Sequence, residues 1–176
     1  MDNLKYPIGK YLKPTVFTKE ILETAIQVIK QFPEKIKTET SLLSDEQLDT
    51  PYRPDGWTIR QVVHHCADSH INAFIRIKMA LTEERPTIKP YAEAKWAELA
   101  DCKTLAIGSS LSIIENVHFR WGIILTSMSE KDFTRSFIHP EKGQELSLHE
   151  STGMYAWHCA HHLAHITQLK KSKDWK

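Results

Sequence analysis

Four histidines fall within eight residues near the end of the chain: His158, His161, His162 and His165. On a helix, His158/His162 and His161/His165 are both i,i+4 pairs, and either would aim two imidazoles from one face at a single point. Neutral imidazole is a common ligand for zinc, nickel and related divalent ions, and two such ligands one turn apart supply half of a coordination shell. The other half must come from a different element. Three histidines are the smallest set that holds a catalytic ion and still leaves positions for water or substrate. His64 and His65 offer the third ligand, but as neighbours they point about 100 degrees apart on a helix and cannot both face one ion. Spacing alone leaves open which of these two it is, and which later pair it joins.

Other chemistries find less support. No HExxH pattern is present, which argues against a zincin-type protease. Asp68, one turn beyond His65, is the candidate for orienting an imidazole or accepting a proton from water, and a solvated helix position accounts for it equally well. Cys66 and Cys159 each adjoin a candidate ligand, so they project off the ligand face and read as packing residues. Trp57, Trp96, Trp121 and Trp157 read as core or pocket wall. His118, His139 and His149 stand alone and read as surface or packing residues, while His70 is undecided. No serine–histidine nucleophile and no glycine-rich phosphate loop is visible.

Such a site needs long, rigid elements to position it. The 176 residues suit one domain spanning 1–176. Lysine plus arginine number 23 against 22 acidic residues, so net charge is near zero and there is no long basic stripe to collect phosphates or anionic lipid. The opening MDNLKYPIGKYLKPTVF lacks a charged start followed by an apolar core, and nothing later approaches the roughly 18 apolar residues of a membrane span. The expectation is a cytoplasmic protein acting on a small-molecule substrate, with neither nucleic acid nor membrane as partner. Three scattered cysteines point to reduced thiols rather than a disulfide framework.

The periodicity is mostly helical. A first helix is predicted from near Thr18, with Ile21, Ala25, Val28, Ile29 and Phe32 on one face and Pro33 kinking or restarting it. Ser44 to Gln47 reads as a capping box on one short turn, and Thr58 to Gln61 as a second, with Trp57 and Val62 placed for a hydrophobic staple. The helix opening there is predicted to reach about Leu81, burying Val62, Val63, Cys66, Ile71, Phe74 and Ile75. A short helix is expected around Glu93–Leu99, and a long one from Leu111 to about Met128 after Gly108-Ser109-Ser110. Pro140 and Gly143 between two short apolar runs suggest a small hairpin, and any strand content should be confined there. A third capping box, Ser147 to Glu150, opens the histidine-rich helix, predicted to continue to about Lys171. Four long helices with moderate connections make an all-α four-helix bundle the expected fold, and facing helices of a bundle commonly build metal sites.

Two stretches, PYRPDGWTIRQVVHHCADSH (residues 51–70) and YAWHCAHHLAHITQL (155–169), resemble the YfiT-like branch of the DinB superfamily, as does YPIGKY near the start. The resemblance covers essentially the whole chain. It implies a four-helix bundle, commonly a homodimer, in which His65, His158 and His162 bind one divalent ion, zinc or nickel. Where the family often has leucine after the first ligand, this chain has Cys66, a change at a packing position. Family members are described as metal-dependent hydrolases that activate water; others in the superfamily look like transferases that add bacillithiol or mycothiol to an electrophile in detoxification. A three-histidine ion with open positions suits either chemistry. The rival from a different class is a non-catalytic metal-binding or stress protein, whose ion clamps two helices together. Loops around Arg53–Trp57, Lys89–Trp96 and His139–Gln144 are the candidates for shaping a pocket.

Overall fold

A computed structural model describes residues 2–141 and 143–175. After a single turn, α1 (Asp2–Lys5), the first long helix is α2 (Lys19–Thr40), opened by the Thr18 hydroxyl accepting from the Ile21 N–H at 3.3 Å. A one-turn α3 (Asp45–Leu48) starts at the Ser44/Gln47 capping box, and α4 (Ile59–Thr82) at the Thr58/Gln61 box. Two short helices, α5 (Glu93–Trp96) and α6 (Ala100–Thr104), lead into α7 (Gly108–Ser127). Then come α8 (Glu130–Phe133), the hairpin strands β1 (Ser136–His139) and β2 (Gln144–Ser147), and α9 (Leu148–Ser172) behind the Ser147/Glu150 capping box. The hairpin is antiparallel and pairs Phe137 with Leu146.

Helices α2, α4, α7 and α9 form a four-helix bundle. Both α2 and α4 pack against α7 and α9, so the sequence neighbours α2 and α4 face each other across the diagonal. The core includes Ile29, Phe32, Ile36, Val62, Val63, Cys66, Ile77, Ile114, Trp121 and Ile166. Among the described residues no helix is long and apolar enough to cross a membrane.

Several details differ from the sequence expectation. Pro33 neither breaks nor restarts α2. Ile29 and Phe32 before it, and Ile36 after it, are buried in the same core, and that packing holds both halves of the helix in line although Pro33 offers no N–H. Ile21 and Ile75, expected inside, are exposed, and Ile71 is only partly buried; Ala67, Ala73 and Ile77 line the inner face of α4 instead. Helix α7 starts at Gly108, three residues early, and this puts the buried Ser110 on the helix. The segment after Glu93 forms two short helices rather than one. Strand-like pairing also extends beyond the two hairpin strands: Pro51 bridges Thr58, and Thr87 bridges Ile138 on β1 in parallel.

The segment before α2 lies along α9 as a strap. His165 Nε2 meets the Lys5 carbonyl at 3.3 Å, Gln168 donates to Pro7 at 3.2 Å, and the Trp157 indole donates to Gly9 at 3.2 Å. Lys13 pairs with Glu150, and the rings of Tyr11 and Phe17 close on Gly153, where an added Cβ would lie 2.9 Å from the Tyr11 hydroxyl.

Candidate metal centre

The start of α4 is pinned in place by polar contacts. The buried Arg60 guanidinium donates to Asp49 at 2.6 Å, to Asp45 at 2.8 Å and to the Leu105 carbonyl at 3.1 Å. Gln61, besides closing the capping box, donates to the Ala97 carbonyl at 2.8 Å. These contacts set the rotation of α4 and so divide its adjacent histidines. His64 turns toward α7, with Nδ1 2.7 Å from the Ser110 hydroxyl and Nε2 3.1 Å from the Leu105 carbonyl. His65 turns the other way, against Trp57 and toward α9.

There His65 meets His158 and His162, and a ring nitrogen from each of the three lies within 4.8 Å of the other two. The His65 and His158 Nε2 atoms are 3.3 Å apart. Two nitrogens about 2.05 Å from one zinc-like ion at the tetrahedral angle would stand about 3.3 Å apart, so the spacing suits a shared ion. Electrostatics agrees. Burial pushes His65 down to about 4, and burial together with the neighbouring imidazoles holds His158 and His162 well below the ordinary histidine range. All three rings are therefore neutral near pH 7, the form that ligates a metal.

The second i,i+4 pair is used differently. His161 stacks on Trp157 with ring centroids 4.5 Å apart, and His165 lies flat on Tyr52 at 3.8 Å while meeting the strap carbonyl. His161, His162 and His165 also lie within 4.8 Å of one another, but all three come from one helix. The grouping with His65 bridges α4 and α9, as does a third one, His70, His118 and Cys159, which also reaches α7.

Asp68 is half-buried and accepts from the Cys102 thiol at 3.9 Å; burial and the nearby Asp101 raise its pKa. No hydrogen bond joins it to His65, His158 or His162 among the described residues, and their cluster holds no carboxylate. Cys66 and Cys159 are buried packing residues whose thiols burial pushes up. Trp121 is fully buried, Trp57 packs at a tilt against His65, Trp157 stacks on His161, and Trp96 is exposed on one side with Tyr91 against it.

Sequence reasoning gave no role to a buried run of histidines behind His158. His158 Nδ1 lies 3.1 Å from His70 Nε2, His70 Nδ1 lies 2.8 Å from His118 Nε2, and His118 Nδ1 lies 2.6 Å from the Ile29 carbonyl. His118 does pack in the core, but through a polar contact that its isolation in the chain conceals. The available signal was Pro33, which sits four residues after Ile29 and leaves that carbonyl without its helical donor.

Fold and site define a class: a four-helix bundle with a histidine cluster, close enough to hold one divalent ion, where two helices meet. The family model of the DinB superfamily matches residues 30–166, and the chain belongs to that superfamily. It is 46% identical over 173 residues to "Putative metal-dependent hydrolase YfiT" of Bacillus subtilis (strain 168), covering 98% of this chain and 97% of that one. A Bacillus pumilus (strain SAFR-032) protein named as a metal-dependent hydrolase in the same terms is 50% identical, with 99% of each chain covered. The solved YfiT structure from Bacillus subtilis, described as having an unusual four-helix bundle topology, superposes with a TM-score of 0.96 at 45% identity over 99% of both chains. The mycothiol-dependent maleylpyruvate isomerase shares the fold more distantly, with a TM-score of 0.59 at 20% identity over 80% of this chain and 60% of that one.

Proposed function

We propose that this protein is a metal-dependent hydrolase acting on a small-molecule substrate, with one divalent ion, zinc or nickel, held by His65, His158 and His162. The observation that carries the reading is the convergence of three neutral imidazoles from α4 and α9 within 4.8 Å. The names of the Bacillus relatives support it. Three protein ligands leave coordination positions free, which favours a catalytic site over a closed structural clamp. When bound, the ion supplies positive charge that polarises a substrate oxygen and lowers the pKa of a water or thiol beside it. The chain's own part is to fix the three rings and keep them unprotonated. Trp57 packs on His65, the His70 ring holds His158, and the strap with Tyr6 closes over His161 beside the site.

One observation favours a second reading, transfer of a small thiol such as bacillithiol to an electrophile. The cluster contains no carboxylate to take a proton from attacking water. A thiol, with a pKa of about 8.5, is already partly ionised near neutrality and needs less help from a base. A homodimer is part of the proposal, and Phe119 and Ile123, exposed one turn apart on α7, offer it an apolar face.

Elemental analysis of the purified protein tests the metal reading. Near-stoichiometric zinc or nickel per chain is expected in the wild type and lost in His65→Ala and His158→Ala. Wild type that neither carries metal nor takes it up overturns the proposal. Assaying ester and amide hydrolysis, then an electrophile with and without an added thiol, separates the two chemistries.

A further inference from the structure

The hydrogen bonds running from His158 back to Ile29 can be assigned in only one direction. The Ile29 carbonyl only accepts, so His118, 2.6 Å away, carries a proton on Nδ1. A neutral imidazole has a single N–H, which makes His118 Nε2 an acceptor, and His70 must donate to it from Nδ1 across 2.8 Å. By the same count His70 Nε2 accepts from His158 Nδ1–H across 3.1 Å. His158 Nε2 is then a bare lone pair, and it is the atom that faces His65 Nε2 at 3.3 Å.

Pro33 supplies the fixed end. In an unbroken helix the Ile29 carbonyl would accept from the N–H of residue 33, but proline has none, and its ring crowds that carbonyl away from the helix axis. Ile29 is fully buried, so water cannot replace the missing donor, and a bare carbonyl there would be costly. His118, 1% exposed, fills the vacancy. Reversing the chain would require an extra proton in the core, and burial disfavours a cation on either His70 or His118. Cys159 lies near His70, its sulfur 3.9 Å from Nε2, so His70, His118 and Cys159 are close enough to hold an ion of their own. The bonds just counted already occupy every nitrogen of the two rings.

We propose that this histidine wire, anchored on the carbonyl that Pro33 frees, locks His158 in its Nδ1–H tautomer and so keeps His158 Nε2 open to the ion. His70 and His118 are positioning residues. The inference rests on the reading of His65, His158 and His162 as ligands, but its first test needs no metal.

That test is long-range proton–nitrogen NMR on metal-free protein with nitrogen-15 histidine at pH 7.5. His118, His70 and His158 are each expected to show protonated Nδ1 and unprotonated Nε2; a His158 with the proton on Nε2 overturns the wire. Chelator competition for zinc is the second readout. His70→Leu should weaken zinc binding roughly 10–100-fold, the usual cost of losing the partner that orients a ligating histidine. His70→Gln, whose amide can accept from His158 and donate to His118, should recover most of it. Wild-type zinc affinity in a folded His70→Leu refutes the wire and leaves the ligand assignment standing. Failure of wild type to bind zinc refutes the ligand assignment, and the tautomers still judge the wire. If His70→Leu does not fold, the wild-type tautomers decide.

Discussion

Acidifying the metal-free protein should unfold it in the range where histidines, not carboxylates, titrate. His65 and His118 are 5% and 1% exposed, and burial holds each at about 4 instead of the ordinary 6.5. A folded-state pKa below the unfolded one means that the unfolded chain binds the extra protons. The stability these groups confer is therefore complete above pH 6.5 and is lost as the pH falls toward 4. At pH 5.5 each unfolded imidazole is about nine-tenths protonated while the folded one is nearly bare, a loss of about 1.4 kcal/mol per group and about 3 kcal/mol for the two. The slope there is about 2.5 kcal/mol per pH unit, a large fraction of the roughly 5–15 kcal/mol that holds a typical domain folded. His70, His158 and His162, also displaced downward, add to the same side. Urea denaturation of chelator-treated protein at pH 7.5, 6.5, 5.5 and 5.0, with proton uptake measured on unfolding, reads the effect. Stability that stays flat from pH 7.5 to 5.5 would refute the reasoning, because carboxylates, with ordinary values near 4, contribute little above about pH 5.5.

Zinc at one hundred times its Kd should add about 2.7 kcal/mol of stability in the wild type and raise Tm, and His65→Ala should abolish the gain; thermal scans with and without zinc measure this. Trp121→Ala removes a fully buried ring from the core and should cost about 3–5 kcal/mol in denaturant unfolding. Ser147→Ala deletes the hydroxyl that accepts from Glu150 N–H at the start of α9 and should cost about 1 kcal/mol in the same assay. Gly153→Val places side-chain atoms where Tyr11 and Phe17 sit, and limited trypsin digestion should then cleave after Lys10 faster than in the wild type.

Local signals in the chain survived into the structure. The capping boxes at Ser44, Thr58 and Ser147 are closed within four residues, so nothing distant has to be known to read them. The start of α7 was legible only to within a few residues, because Ile107 precedes it without a side-chain cap. Choosing His65 over His64 from the residues alone was impossible for a different reason. The rotation of α4 depends on Arg60, Gln61 and His64 finding Leu105, Ala97 and Ser110, partners 36 to 46 positions away. Family resemblance supplied that choice, and the structure brings the same three histidines together. The wire was hidden because His118 meets Ile29 across 89 positions and His70 across 48. Pro33 was visible but ambiguous: only when α2 is known to be continuous does its missing N–H become a free acceptor rather than a helix end.

The strap along α9 has an evolutionary consequence. Apart from the Lys13–Glu150 ion pair, its bonds to α9 are accepted by the main-chain carbonyls of Lys5, Pro7 and Gly9, groups that every residue type presents alike. Gly9 itself is constrained by its backbone, with φ of 79°, and Tyr6, Tyr11 and Phe17 by their ring contacts. Lys10 and Leu12 are exposed and carry none of these contacts to α9, so a lineage is free to change their charge or size without moving the strap. Since that strap closes over His161 while His65, His158 and His162 are fixed from α4 and the core behind α9, the ribbon beside the histidine cluster and the cluster itself can diverge on separate schedules. One scaffold can thus rewrite a surface ribbon while the histidine cluster stays in place.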